Sequence, residues 1–298
     1  MASKTTPAFR IAIIGVGQVG TAAAYSIILA SLATELLIVD LDRELRDTEQ
    51  QYEQLLTRKR AKVNIVVITA GSKYNRGETA VQHTYKKISI VRSIVEEMKP
   101  FRSDTILLVV ANPVDLLTFF AYELSGLPAS QVLGSGTFLD SLRVRNLLAQ
   151  KIKIAPASID LYTVGLHGDS QIVAWSDATI GGMPMSKVFG ANASECEDAT
   201  NEGMKRLETM IRVKGSTPLG IGAAVSSICS SITSDQRNIR PICYMQPEWG
   251  CCFSMPAVLG RAGVVKKIDM ALDSTEKMAL EQSVKELKAT IENVSQNQ

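Results

Sequence analysis

The stretch that most constrains this chain runs from Phe9 to Asp40. Ile11-Ala-Ile-Ile14 is a short apolar run of the kind buried in a parallel sheet. It passes directly into Gly15-Val-Gly17-Gln-Val-Gly20, and Thr21 to Leu32 has the composition of a helix. Leu36-Leu-Ile-Val39 reads as a second buried strand, closed by Asp40. The three glycines serve different ends. Gly15 turns the chain, Gly17 leaves room for a pyrophosphate, and Gly20 lets helix and strand pack closely. The helix opens with unpaired N–H groups and a positive dipole end, around Gln18 and Val19, which suit phosphate oxygens. Asp40 is placed to accept from ribose hydroxyls, and its charge disfavours a 2′-phosphate. The unit predicts a βαβ dinucleotide site that takes NAD, with Gly15, Gly17, Gln18, Val19, Gly20 and Asp40 in contact.

With 298 residues, 46% of them apolar and 21% charged, the chain can bury the core of one large or two ordinary globular domains. A net charge of +2 gives no ground for a nucleic-acid or anionic-membrane partner. Five cysteines without a CxxC pair make neither a disulfide framework nor a zinc site, so no metal is expected. Cys251 and Cys252 read as core residues of a reduced, intracellular protein. The first residues, Met1 to Pro7, lack an apolar signal region, and no apolar run approaches a membrane span. A cytoplasmic location follows as the expectation.

Along the chain, Leu41 to Lys62 reads as one solvated helix. Val63 to Thr69 is a further buried strand, and Thr69-Ala70-Gly71 at its carboxyl end is expected to reach the cofactor. No four-residue apolar run lies between Asp40 and Val63, so the third strand of a doubly wound half is missing or very short. The Leu36–Val39 strand would then lie at a sheet edge in need of a cover, such as a helix or a partner subunit. Ser72 to Val81 is a polar loop at a strand's carboxyl end. A helix from Gln82 to Met98, a strand from Thr105 to Val110, a helix from Leu116 to Leu124 and a strand from Val132 to Gly134 continue the alternation.

Around Pro156 the alternation ends. Ile159–Val164 and Val173–Ile180 read as strands, Asn192–Arg212 and Ile221–Ile232 as helices, and strands around Ile242 and Cys251–Pro256 precede a closing helix at Thr275–Asn293. The fold class is α/β: a Rossmann-type doubly wound parallel sheet over residues 1–145, then an α+β substrate domain over 146–298.

Of the two histidines, His83 lies within a helical stretch between Gln82 and Thr84 and reads as surface. His167 lies in the glycine-flanked loop Gly165-Leu-His-Gly168-Asp169-Ser170, where an imidazole can project into a cleft. Hydride transfer to a carbonyl needs a proton donor, and imidazole is suited to donate near neutral pH. Asp140 could hold its tautomer and raise its pKa, and Arg143, one helical turn on, could grip a carboxylate through two N–H groups. From the residues alone, a helix N-cap for Asp140 and a surface charge for Arg143 are equally open.

Four motifs together resemble the lactate/malate dehydrogenase family, and its lactate branch most: Gly15-x-Gly17-x-x-Gly20, Ala111-Asn112-Pro113-Val-Asp115, Gly136-Thr-x-Leu139-Asp140-Ser141-x-Arg143 and Gly165-x-His167-Gly168-Asp169-Ser170. The likeness extends to Lys214-Gly-Ser-Thr217 and Pro256-Ala-Val-Leu-Gly260. It implies that His167 is the acid/base and Asp140 its carboxylate partner. It also implies that Arg143 binds the substrate carboxylate, that Asn112 meets substrate and nicotinamide ribose, and that Thr217 lines the pocket. A homo-dimer or homo-tetramer is likewise implied.

Several positions depart from that pattern. The family's mobile loop carries Gly-Glu-[Ser/Thr]-Arg, with an arginine that polarises the reacting carbonyl, and here it reads Gly77-Glu78-Thr79-Ala80. The position that separates lactate (Gln) from malate (Arg) enzymes is Tyr74, a substrate-contact candidate of neither type. Arg76 reads as a solvated loop charge, and Leu166 stands where the family is usually polar. Two readings follow. One is an NAD-dependent oxidoreductase of a 2-hydroxy/2-oxo acid with a non-standard side chain. The other is a dehydrogenase frame without ordinary lactate turnover, used for a cyclisation, an isomerisation or binding.

Overall fold

The computed structural model describes residues 9–40, 63–73, 75–214 and 217–296. The N-terminal alternation is β1 (Arg10–Ile14), α1 (Gln18–Leu29), β2 (Glu35–Val39), β3 (Ile65–Ile68), α2 (Ala80–Met98), β4 (Ile106–Val109), α3 (Val114–Ser125) and β5 (Val132–Gly134). β1 pairs in parallel with β2 and β3, β3 with β4, and β4 with β5. Every residue of β3 and β4 is buried, as expected of strands covered on both faces. The helix expected over residues 41–62 lies outside the described residues. Among the described residues β2 ends the sheet with one neighbour, as the lack of a third apolar run implied.

The second half continues with α4 (Phe138–Ile152), then β6 (Ile159–Asp160), β7 (Thr163–Val164), β8 (Ile172–Val173), β9 (Thr179–Ile180) and β10 (Met183–Pro184). There follow α5 (Met185–Phe189), α6 (Ala193–Lys214), α7 (Pro218–Thr233), β11 (Asn238–Gln246), β12 (Cys251–Gly260), β13 (Gly263–Lys267) and α8 (Ser274–Gln296). β11 adds antiparallel to β5, with Cys243 opposite Gly134. One eight-stranded sheet therefore runs β13-β12-β11-β5-β4-β3-β1-β2 through both halves of the chain.

Apolar side chains cover this sheet on both faces. On one side Ala23, Ala24 and Ile27 of α1 pack with Ala224, Val225 and Ile228 of α7. On the other, Ile88, Val91 and Val95 of α2 join Leu117 and Phe120 of α3 and Leu280, Val284 and Leu287 of α8. A third cluster gathers Val144 and Leu148 of α4 with Ile159, Ile180 and Met204. The single strands expected over Ile159–Val164 and Val173–Ile180 are each divided. In the second case a turn of 3-10 helix at Trp175–Asp177 intervenes, where the Ser176 N–H donates to Glu276 Oε1 at 3.0 Å. β13 is not foreseen, because its short Val264-Val265 pair lies between Gly263 and Lys266-Lys267 and does not read as a buried run.

His83 corrects the surface reading made from its polar neighbours. It is 4% exposed, and its Nδ1 lies 3.1 Å from Glu78 Oε2. The reason is local: Thr79 caps α2 through a capping box with Gln82, and this turns Glu78 back against the first turn of the helix.

Candidate active site

The dinucleotide unit folds as its spacing requires. Gly15 has φ +94, and a Cβ there would come within 2.5 Å of the Ala70 backbone. A Cβ at Gly20 would meet the Gly15 carbonyl oxygen at 1.9 Å, which only glycine tolerates. A Cβ at Gly17 would meet nothing within 4 Å, so open space lies where a pyrophosphate must approach. α1 starts at Gln18 with no side-chain cap, and the N–H groups of Val19 and Gly20 in its first turn are placed to meet an anion.

Asp40, just past β2, accepts the Val16 N–H through Oδ2 at 2.6 Å, which places its carboxylate against the glycine loop. Thr69 Oγ1 donates to the Gly15 carbonyl at 2.5 Å, and Ala70 packs on the same turn. Gly71 is exposed beside them. The residues present therefore fit a dinucleotide.

The candidate catalytic residues come from separate segments of the chain. α4 begins after Thr137, so Asp140 falls in its first turn rather than at its N-cap, and it is 3% exposed. Asp140 Oδ2 lies 2.6 Å from His167 Nδ1, and its Oδ1 accepts from Arg143 Nη1 at 3.1 Å. Arg143 Nη2 donates to Thr217 Oγ1 at 2.7 Å, which links α4 to the residue that precedes Pro218 and α7. Thus the N-cap and surface-charge readings give way to one chain of contacts: His167, Asp140, Arg143, Thr217.

The imidazole is 29% exposed, with Nε2 as the ring nitrogen left for substrate. Burial disfavours its charged form. The hydrogen bond to Asp140 and the charges of Asp140 and Asp115 outweigh that, and the His167 pKa is raised.

Asn112 stands exposed at the carboxyl end of β4, just before α3. Arg76 is exposed, and Leu166 packs against the core. Tyr74 lies outside the described residues. The loop that holds His167 is fastened from behind: Gly165 and Ser254 exchange backbone hydrogen bonds at 2.9 Å, and Ser141 Oγ accepts the Thr163 N–H at 2.8 Å.

One participant was named in a motif without a role. Asp115, in the first turn of α3, accepts the His167 backbone N–H through Oδ2 at 2.8 Å. An acid in a first turn reads as a dipole partner, and nothing in its spacing shows that it faces His167.

Residues 9–134 match the lactate/malate dehydrogenase NAD binding domain, and residues 137–298 match the alpha/beta C-terminal domain of the same family. The chain belongs to the lactate/malate dehydrogenase family. As in that family, its cofactor is NAD and its chemistry is NAD-dependent hydroxy acid oxidoreduction. Similar proteins include L-lactate dehydrogenase A of Rhizopus oryzae, 36% identical over 94% of this chain and 91% of that one. L-lactate dehydrogenase B of Hordeum vulgare is 35% identical over 93% and 88%. Among solved structures, the minor L-lactate dehydrogenase of Enterococcus mundtii in its ligands-bound form is 30% identical with a TM-score of 0.89, over 96% of this chain and 98% of that one. A lactate/malate dehydrogenase with this fold and these motifs carries alanine at position 80, at the start of α2.

Proposed function

We propose that this lactate/malate dehydrogenase reduces a 2-oxo acid other than pyruvate or oxaloacetate to its 2-hydroxy acid, and runs the reverse oxidation. The observation that carries the reading is the contact chain from His167 through Asp140 and Arg143 to Thr217. It sets a proton donor beside a cationic fork, as a substrate with adjacent carbonyl and carboxylate requires. Tyr74 and Ala80, which stand where lactate and malate enzymes carry other residues, support a different side chain on the substrate.

The cofactor, held by the glycine loop and Asp40, would supply a hydride as NADH in reduction and accept one as NAD+ in oxidation. Arg143 receives the substrate carboxylate, and Thr217 fixes the orientation of its guanidinium. Asn112, at the end of β4, orients the reacting carbon between the cofactor and His167. As the ketone becomes an alkoxide, His167 Nε2 gives it a proton, and Asp140 stabilises the imidazolium through Nδ1. In oxidation the neutral imidazole takes the hydroxyl proton. Reduction needs protonated His167, so its raised pKa keeps reduction active to higher pH than an ordinary imidazole would. The rate is full below that pKa and falls as pH rises through it, while oxidation has the opposite slope.

NADH consumption by the purified chain across pyruvate, oxaloacetate and bulkier 2-oxo acids tests this reading. A bulkier acid is expected to give a kcat/KM at least about tenfold above pyruvate, one tenfold step being about 1.4 kcal/mol of transition-state binding. Preference for pyruvate would refute the non-standard substrate. Tight NADH binding without turnover of any acid would favour the non-redox reading. Residues 1–145, which hold the cofactor and lend Asn112, Asp140 and Arg143 to the site, and residues 146–298, which add His167 and Thr217, complete the proposal together with a cytosolic location and a homo-dimer or homo-tetramer. All five cysteines are free and buried, which fits a reducing compartment.

A further inference from the structure

Two carboxylates converge on His167, and the reaction as derived uses one. Asp140 holds the ring at Nδ1, while Asp115 holds the backbone, accepting the His167 N–H at 2.8 Å. Asp115 is 5% exposed, and its other oxygen, Oδ1, makes no hydrogen bond of ordinary geometry. A carboxylate this deeply buried is costly even with the His167 N–H and the Cys243 thiol beside it, and a purely structural acceptor would be met as well by a neutral side chain. Its position also matters. Asp115 lies three residues beyond Asn112, so one strand-to-helix junction presents Asn112 to the cleft and an anion to the acid/base loop.

We propose that Asp115 is a positioning residue for catalysis, whose carboxylate clamps the His167 backbone to the first turn of α3 and so fixes the imidazole between Asp140 and the substrate. The proposal rests on the dehydrogenase reading of the site. The groups that face these two are Asp140 and Arg143 on α4 and the Cys243 thiol on β11. Burial raises the Asp115 carboxyl to about 6 against the opposing pull of the His167 N–H and of Cys243, so it is ionised at neutral pH. There its charge favours protonated His167.

The test compares Asp115→Asn, which keeps an acceptor oxygen but loses the charge, with Asp115→Ala, which loses both. NADH affinity serves as the check that the frame is intact. Asp115→Ala is expected to lower kcat at least about tenfold with little change in KM, and Asp115→Asn to recover only the part of that loss that its acceptor oxygen restores, not the part that depends on the charge. In Asp115→Asn the pH at which reduction declines is expected to fall by about half a unit or more. The same shift is read without turnover from the imidazole proton resonances, since the chain has two histidines and His83→Gln assigns them.

Retention of wild-type kcat within about twofold in Asp115→Ala, or an unmoved His167 titration in Asp115→Asn, would overturn the proposal. If the wild-type chain turns over no 2-oxo acid, the dehydrogenase reading fails, and the resonance titration still decides the role of Asp115. If Asp115→Ala does not fold, the titration of Asp115→Asn decides alone.

Discussion

At the scale of single residues, the proposed proton donor His167 and the proposed carboxylate grip Arg143 are in place, while the loop position that resembles the family's arginine is Ala80. Ala80 opens α2 and is exposed, so a longer side chain there meets no packed core. A preorganised cation aimed at the reacting carbonyl is worth about 10²–10³ in rate. Ala80→Arg is therefore expected to raise reduction of 2-oxo acids by at least about tenfold, measured as kcat on the best acid of a panel. No gain would mean that loop closure or pocket shape limits the rate. His167, Asp140 and Arg143 stand out in the sequence as candidates because each belongs to a spaced motif, and the structure brings the three together. Their connections do not stand out there, because the Arg143–Thr217 bond joins residues 74 positions apart. His83 misled for a related reason: polar neighbours in sequence say nothing of Glu78, which the loop folds back against it.

At the scale of elements, the glycine loop and α1 show how a turn fixes a binding site. Gly15 crosses against Ala70, and Gly20 against the Gly15 carbonyl, so β1, α1 and the end of β3 pack closely at this turn. Gly20→Ala would place a methyl 1.9 Å from that carbonyl oxygen, and the helix start must move. NADH affinity, read by fluorescence titration, is expected to fall at least about tenfold, because the phosphate-binding N–H groups lose their aim. Unchanged affinity would show that the cofactor is held chiefly elsewhere, as by Asp40. These elements were readable because local periodicity and turn chemistry agree. β13 and the divided strands were not, since strands of two to five residues, such as β6 to β10, carry too few side chains to show a period.

At the scale of the whole molecule, the parallel half was foreseen and its continuation was not. Nothing in a run such as Asn238–Gln246 reveals that it pairs with β5 across about a hundred residues. An apolar patch on the described surface supports the proposed self-association. Tyr25, Ile28 and Leu29 of α1 are 61%, 48% and 68% exposed, grouped near the β2 end of the sheet. Light scattering in solution is expected to give two or four times the 32.3 kDa chain mass, and a monomer at working concentrations would refute the homo-oligomer.

The β5–β11 seam has a consequence for how such chains can be recombined. A piece ended at Gly134 would carry its dinucleotide loop intact but would bare the β5 edge that Cys243 and Tyr244 satisfy. It would also leave behind the Ser254 that fastens Gly165, and with it the seat of the proton donor. Exchange of halves between relatives thus demands a matching seam as well as matching active-site residues. A cut between β5 and β11 opens a sheet edge that the whole chain keeps paired.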